Sequence, residues 1–202
     1  MRQFRLNPRE CALIVVDVQL DFCSPDGATA RRNRPNTRMQ ALPDKINAFV
    51  KELEGSGVLF IYTQAIVDET NLAPNVRFFN EMKGVTRPTQ AGSGGEELYR
   101  LDIPADAVIL HKQCPDGFTS THLKHILRQN AISTVLICGV RTEICVESLA
   151  RRAFCEGFNV IVISDLVATR DHNSADEQHS LKFIDAYVGF VLDSVQVRHI
   201  LS

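Results

Sequence analysis

The sequence predicts an α/β protein in which a parallel β-sheet is covered by helices on both faces. Continuous apolar runs rich in β-branched residues are typical of strands that are buried on both sides, as the strands of a parallel sheet are. Along the chain these runs alternate with segments whose apolar residues recur at helical spacing, a pattern that favours right-handed βαβ crossovers. The 202 residues, of which 45% are hydrophobic, can bury one sizeable core. We therefore expect one domain over residues 1–202, built as a three-layer α/β/α sandwich.

Six strands account for the apolar runs. The first run ends at Asp17, the third is followed by Lys112, and the fourth breaks at Gly139. The last run, Val195-Gln196-Val197, is short and would supply an edge strand. In order, the predicted strands cover residues 11–16, 58–63, 107–111, 135–138, 159–164 and 195–197.

The helices are predicted from their start and stop signals. Pro43 opens a helix that Gly55 ends, and Thr119 or Ser120 caps a helix that ends near Asn130. A third helix starts at Cys145 and ends at Gly157. Residues 174–177 form a capping-box pattern ahead of a fourth helix.

Two segments lack any apolar period. Residues 24–43 contain several prolines and arginines, and we predict a long loop that acts as a lid or binding element. Residues 68–106 are broken by prolines and glycines, and we predict irregular structure with one helical turn over residues 96–99. The Gly-Ser-Gly-Gly cluster at 92–95 does not follow a strand, so a plain loop is favoured over a phosphate cradle.

Composition narrows the classes of function. The formal net charge of −2 and a pI near 6.3 do not indicate a nucleic-acid partner. No apolar stretch approaches the length of a membrane span, and the amino terminus lacks the apolar core of a signal peptide. The six cysteines form no C-x-x-C pair, so neither a disulfide framework nor a zinc knuckle is expected. A protein of the reducing cytoplasm fits these features.

Cys145 is the candidate nucleophile. It lies between a buried strand and the helix that follows, at the edge of the sheet where open α/β folds bind their ligands. At the first turn of a helix, unpaired backbone N–H groups and the helix dipole favour the thiolate over the thiol. The alternative is that Cys145 is a small core residue, as most free cysteines are.

Three ionisable residues fall at the ends of separate predicted strands. Asp17 ends the first, Lys112 follows the third, and Cys145 follows the fourth. Because the carboxyl ends of parallel strands share one edge, we expect the three side chains to converge. A carboxylate can move a proton, an ammonium can stabilise a thiolate, and a thiolate can attack an electrophile. Singly, each has an ordinary alternative as a turn residue, a surface lysine or a core thiol.

The motifs around these residues resemble the isochorismatase-like cysteine hydrolases, and the resemblance covers most of the chain. In that family the fold is a six-stranded parallel sheet flanked by helices, and the catalytic triad is Asp, Lys and Cys. The resemblance assigns these roles to Asp17, Lys112 and Cys145. The matching motifs are Ala12 to Gln19 with Asp21-Phe22, Lys112 ahead of Gly117 to Thr121, Gly139 to Ser148, and Asp165 after the fifth strand.

The resemblance also implies how the site is built and assembled. It places a cis peptide bond immediately before Arg141. It forms an oxyanion hole from the backbone N–H groups of Arg141 and Cys145. Members of the family often form dimers or tetramers, so we expect a homo-oligomer.

The pattern of histidines bears on the branch of the family. Metal-dependent, nicotinamidase-like members carry an Asp-x-His element after the second strand, whereas residues 64–68 here are Gln-Ala-Ile-Val-Asp. The chain has no histidine before His111. His122 and His125 are expected to be surface residues, since two ligands make an incomplete site. We therefore predict no metal and no cofactor.

These features predict a cysteine-dependent hydrolase that cleaves a C–N bond of a small amide, carbamoyl or ureido substrate through a thioester. The alternatives are an isochorismatase-type vinyl ether hydrolase and a non-catalytic α/β small-molecule-binding protein. The candidate substrate-binding residues are Gln19, Phe22, Phe118 and Arg141. Arg141 could grip a substrate carboxylate or point to a neighbouring subunit or solvent, and the two phenylalanines could be core residues.

Overall fold

The sheet is six-stranded and entirely parallel, as predicted. A computed structural model describes residues 5–32 and 34–201. The strands are β1 (Cys11–Val16), β2 (Leu59–Ala65), β3 (Val108–Lys112), β4 (Thr134–Val140), β5 (Asn159–Ala168) and β6 (Phe190–Leu192). Their order across the sheet is β3-β2-β1-β4-β5-β6. The direction of the crossovers reverses between β1 and β4, and such a switch point is where open α/β sheets bind ligands.

Helices cover both faces of this sheet. A π-helical turn, Thr142–Val146, follows β4 and leads directly into α7. The helices are α1 (Leu20–Cys23), α2 (Ala28–Arg31), α3 (Thr37–Gln40), α4 (Leu42–Leu53), α5 (Pro74–Lys83), α6 (Leu123–Gln129), α7 (Glu147–Cys155), α8 (Ser174–Tyr187) and α9 (Ser194–Leu201).

The core has two halves because successive side chains of a strand point to opposite faces of the sheet. Leu13 and Val15 of β1 pack with the apolar faces of α4 and α9. Ala12, Ile14 and Val16 pack on the other side with α6, α7 and α8. Every residue of β1 is buried, which explains why its sequence is apolar without alternation. The three-layer prediction is confirmed.

The carboxyl ends of β3, β2, β1 and β4 lie side by side along one edge of the sheet. Val16, the last residue of β1, pairs with Thr63 of β2 on one side and with Gly139 of β4 on the other. β2 in turn pairs with β3, where Ala65 is opposite Lys112. Residues that follow β1, β3 and β4 are therefore close in space although distant in sequence.

The predicted sixth strand is wrong. Residues 195–197 belong to α9, and the sixth strand is Phe190–Leu192. Val197 and Leu201 are four residues apart and both buried, which is helical spacing. Asp165 anchors the start of α9, because its carboxylate accepts hydrogen bonds from the backbone N–H and the hydroxyl of Ser194. Asp165 therefore lies inside β5 rather than after it.

The two irregular segments contain more structure than predicted. Residues 24–43 include α2 and α3, and Met39 is buried in the core, so this part packs against the sheet and is not a lid. Within residues 68–106 the helix is α5, and 96–99 form no helical turn. No residue of α5 is buried, although Phe78, Phe79 and Met82 recur at helical spacing on its surface.

Two predicted helix starts are also displaced. α6 begins at Leu123, whose N–H is bound by the hydroxyl of Thr121, rather than after a cap at 119 or 120. Ser174 is the first residue of α8 and makes no capping hydrogen bond.

Across residues 5–32 and 34–201, each helix is too short or too polar for a bilayer span.

Candidate active site

Asp17 lies at the carboxyl tip of β1, as predicted. It is fully buried, and it adopts a left-handed backbone conformation with φ of 50°. Its N–H donates to the carbonyl of Thr63 on the neighbouring strand at 3.2 Å. The Thr63 hydroxyl donates to Asp17 Oδ1 at 2.7 Å. Thr63 thus fixes the carboxylate from β2, and it is a site residue that the sequence analysis did not single out.

Lys112 is the last residue of β3, and its ammonium lies 2.7 Å from Asp17 Oδ2. The same ammonium donates to the carbonyls of Cys114 and Pro115, each at 3.1 Å. Burial alone would lower the pKa of Lys112, but the charges of Asp17 and of ionised Cys145 raise it above its ordinary value. Lys112 is therefore a protonated side chain whose ammonium is fixed by one carboxylate and two backbone carbonyls.

Cys145 lies in the π-helical turn and is partly exposed to the cavity. The Asp17 carboxylate is near enough to its thiol to raise the pKa of Cys145. Burial raises the pKa of Cys145 to about 12, and Asp17 adds to the rise, while Lys112 and Arg141 lower it less. The helix start was expected to favour the thiolate, but burial and the facing Asp17 carboxylate outweigh it and the cations, so the pKa is raised instead. Cys145 rests as a thiol with an acceptor for its proton in contact.

The turn that carries Cys145 requires a glycine at its start. Gly139 has φ of 111°, and a Cβ atom there would lie 2.2 Å from the carbonyl oxygen of Val16. The close approach of β1 and β4 at this point therefore excludes any side chain. The peptide bond between Val140 and Arg141 is cis, as the resemblance implied.

A cavity of about 220 Å³ opens at this edge of the sheet. Lys112 and Cys145 line it, so two members of the predicted triad face the same space, and the third, Asp17, neighbours both. Phe22 and Arg141 line it as well, in agreement with the prediction. The other lining residues are Ala65, Ile66, Val67, Arg87, Pro88, Thr89, Gln113, Cys114, Pro115, Val140 and Ile144.

Two predicted substrate-binding residues are not part of this lining. Gln19 is buried, and its side-chain amide bonds the backbone of Ala65 and the carbonyl of Glu96, so its hydrogen-bonding groups hold loops together. Phe118 packs in the core, with its ring 6.1 Å from that of Phe158. Both residues therefore have structural contacts in place of the predicted ones.

Arg141 has an internal partner. Its Nε lies 3.4 Å from Oε1 of Glu143, two residues along the same turn, and both side chains are largely buried. Arg87, in contrast, was not predicted. It comes from the irregular segment after α5, where no periodic pattern draws attention to a single arginine.

The comparisons with known proteins agree with this geometry. The profile of the isochorismatase domain matches residues 11–196. The chain belongs to the isochorismatase family. It is 30% identical to the ureidoacrylate amidohydrolase RutB of Klebsiella pneumoniae over 210 aligned residues, which cover 96% of this chain and 88% of that one.

Two solved structures show the same fold as this family member. The cysteine hydrolase of Pseudomonas syringae pv. phaseolicola superposes with a TM-score of 0.84 at 26% identity, covering 98% of this chain and 95% of that one. The pyrazinamidase of Pyrococcus horikoshii, solved in complex with zinc, superposes with a TM-score of 0.73 at 30% identity, covering 91% and 99%. The chain is thus an isochorismatase-family hydrolase related to cysteine hydrolases.

One of these relatives was solved with zinc, so the metal-binding side chains of this isochorismatase-family site matter. Within residues 5–32 and 34–201, no three His, Cys, Asp or Glu side chains are grouped as metal ligands. His122, just before α6, and His125, on α6, are exposed, as predicted. The residues present do not fit a three-ligand zinc site.

Proposed function

We propose that this protein hydrolyses a C–N bond of a small amide, carbamoyl or ureido substrate, with Cys145 as the nucleophile. The observation that carries the proposal is the convergence of Asp17, Lys112 and Cys145 at one cavity, with Lys112 Nζ 2.7 Å from Asp17 Oδ2. A nucleophile, a base and a cation in mutual contact are the groups that acyl transfer requires.

Acylation starts from the resting thiol. As Sγ of Cys145 attacks the carbonyl carbon, its proton passes to the neighbouring Asp17 carboxylate. Lys112 stabilises the negative charge while it resides on sulfur or on Asp17. Since the thiol ionises only during attack, its raised pKa is compatible with catalysis.

The negative charge that develops on the carbonyl oxygen needs donors of its own. We assign this role to the backbone N–H groups of Arg141 and Cys145, both of which lie on the turn that lines the cavity. Backbone donors of this kind lower a barrier by about 3 kcal/mol each.

Collapse of the tetrahedral intermediate breaks the C–N bond and leaves a thioester on Cys145. Asp17 returns its proton to the leaving nitrogen, which departs as ammonia or an amine. A water molecule then gives a proton to Asp17 and attacks the thioester carbon. The proton returns to sulfur as the acid product leaves, which regenerates the starting thiol.

The names of the relatives support this class of substrate. One relative is a ureidoacrylate amidohydrolase and another is a pyrazinamidase, and both names describe cleavage next to a carbonyl carbon. The proposal also includes a small-molecule substrate as the partner, no nucleic acid or membrane partner, self-association as a dimer or tetramer, and catalysis without a bound metal or cofactor. Elemental analysis of the purified enzyme tests the metal, and light scattering tests the oligomer.

The test of the function is ammonia release across a panel of small amides and ureas. We expect Cys145→Ala to lower kcat by at least about 10³-fold, and an acyl adduct to appear on Cys145 by mass spectrometry of the wild-type enzyme. Cys155→Ala is the matched control, because Cys155 is an exposed thiol at the end of α7. Turnover by Cys145→Ala at the wild-type rate, or activity only on vinyl ethers, would refute the proposal.

A further inference from the structure

Three cationic side chains line the cavity, and two of them are neutralised. Lys112 is paired with Asp17 at 2.7 Å, and Arg141 is paired with Glu143 at 3.4 Å. The thiol of Cys145 is neutral at rest because burial raises its pKa. The charge balance of the cavity therefore depends on the third cation.

Arg87 is that third cation, and none of the described residues gives it an anionic partner. Among residues 5–32 and 34–201, no carboxylate oxygen lies within 4.0 Å of its guanidinium. Its Nε donates to the side-chain oxygen of Asn80 at 3.0 Å, and its guanidinium lies 6.0 Å from the ring of Phe79. Neither partner carries a full negative charge, so the cavity has an uncompensated positive charge.

The loop that carries Arg87 is fixed rather than loosely attached. The N–H of Thr89 donates to the buried carboxylate of Asp21 at 2.7 Å, and the N–H of Val67 donates to the carbonyl of Thr89 at 2.9 Å. The side chain of Gln90 donates to the carbonyl of Arg87 at 3.0 Å. These bonds hold the loop of Arg87, a residue that lines the cavity, and the bond to Asn80 holds its side chain.

We propose that Arg87 binds a carboxylate at the end of the substrate remote from the scissile C–N bond, so that the preferred substrates are short anionic amides or ureas. A guanidinium offers a planar pair of donors that matches a carboxylate, and such charge-assisted pairs are the stronger hydrogen bonds. The small cavity requires that the two ends of the substrate are joined by a short linker. The assignment to a substrate rests on the function proposed above; the anion site itself does not.

Arg141 was the earlier candidate for this role, and its geometry is less suitable. Its charge is already balanced by Glu143, two residues along the chain. A substrate carboxylate would have to compete with that of Glu143. Arg87 meets no such competitor. Specificity for anions is therefore assigned to the loop after α5 and not to the nucleophile turn.

Binding is tested first, in a background that cannot turn over. The Cys145→Ala enzyme is titrated calorimetrically with succinamate, which carries a carboxylate, and with butyramide, which ends in a methyl group. In this background, the second substitution Arg87→Ala should weaken succinamate binding by about 10-fold or more. Butyramide binding should weaken by a much smaller factor. Adding Arg77→Ala is the control, since Arg77 is an exposed arginine of α5 that does not line the cavity.

Turnover is tested next, in the enzyme that retains Cys145. The ratio of kcat/KM for succinamate to that for butyramide, and for 3-ureidopropionate to that for propylurea, should fall by about 10-fold or more in Arg87→Ala. Arg87→Lys keeps the charge but lacks the planar pair of donors. Its ratios should lie between those of the wild-type enzyme and those of Arg87→Ala. Arg77→Ala should leave both ratios unchanged.

The possible outcomes separate this inference from the proposed function. Equal losses for anionic and neutral compounds would show that Arg87 only supports the loop, and would overturn the inference while leaving the hydrolase intact. Failure of the Cys145→Ala enzyme to bind succinamate and 3-ureidopropionate at millimolar concentrations would also overturn it. Succinamate binding that depends on Arg87, with no hydrolysis of any amide or urea, would support the anion site and refute the proposed reaction.

Discussion

The carboxylate of Asp17 raises the pKa of the Cys145 thiol, and in the proposed reaction it also accepts the thiol proton. These two effects predict opposite consequences when the charge is removed. In Asp17→Asn the thiolate loses its repelling neighbour and keeps Lys112, so the pKa of Cys145 should fall and the fraction of thiolate at pH 8 should rise. Alkylation by iodoacetamide at pH 8 should become faster, while kcat for amide hydrolysis should drop by about 10²–10⁴-fold.

The pH profile of wild-type alkylation gives the matching control. Since the pKa of Cys145 is raised to about 12, its alkylation rate should climb steadily from pH 7 to pH 10 without a plateau. The Asp17→Asn profile should be displaced to lower pH. Slower alkylation in Asp17→Asn would mean that Asp17 serves as the base in that reaction too, and that its charge does not suppress the thiolate.

At the scale of single residues, the positions of the proposed catalytic groups could be predicted from the sequence, but the raised pKa of Cys145 could not. Asp17, Lys112 and Cys145 were predicted because each follows an apolar run, and parallel strands bring such positions together. The raised pKa of Cys145 depends on burial and on a carboxylate 128 positions earlier in the chain, and local sequence contains neither. Arg87 was missed for the same reason, because its importance comes from the absence of a carboxylate in three dimensions.

Among the elements, the junction between β4 and the turn that carries Cys145, Thr142–Val146, is the most sensitive to substitution. A methyl group on Gly139 would overlap the carbonyl of Val16, and φ of 111° is unfavourable for any L-residue. We expect Gly139→Ala to lower the free energy of unfolding by more than about 3 kcal/mol, because strain and steric overlap add. Urea denaturation followed by circular dichroism measures the loss.

Gly84→Ala is the comparison for this substitution. Gly84 also has a positive φ, 58°, at the end of α5, but a Cβ atom there would meet nothing within 4 Å. Its replacement should cost about 1 kcal/mol, from the backbone conformation alone. Equal losses in the two variants would show that the contact with β1 at Val16 does not matter.

How well each element could be predicted follows from how much apolar surface it buries. The strands β1 and β4 are buried along their whole length, and their apolar runs identified them. α5 buries no residue: its Phe78, Phe79 and Met82 recur at helical spacing but are exposed, and the prolines and glycines around them led to a prediction of irregular structure. In the 195–197 region two valines favoured a strand, but burial of Val197 with Leu201 and the bonds from Asp165 stabilise a helix.

Over the whole molecule, the site joins a rigid part and a weakly packed part. Asp17 and Cys145 of the proposed triad follow the central strands β1 and β4, and Lys112 ends β3, whereas Arg87 is oriented by Asn80 of α5. Phe78 and Met82 of α5 are 65% and 70% exposed, so this helix gains little from burial. Regions with few buried apolar contacts open locally at much lower free energy than core strands.

Hydrogen exchange measures this difference. We expect the amides of α5 to exchange at least about 10²-fold faster than those of β1 and β4, which should exchange only on global unfolding. Succinamate bound to the Cys145→Ala enzyme should slow exchange in α5 and in the loop through Gln90, because the ligand stabilises the conformation that presents Arg87. The Arg87→Ala derivative should show no such slowing. If α5 is instead as protected as β4 without ligand, another surface covers it in solution, and light scattering at the same protein concentration would then report a second copy of the chain.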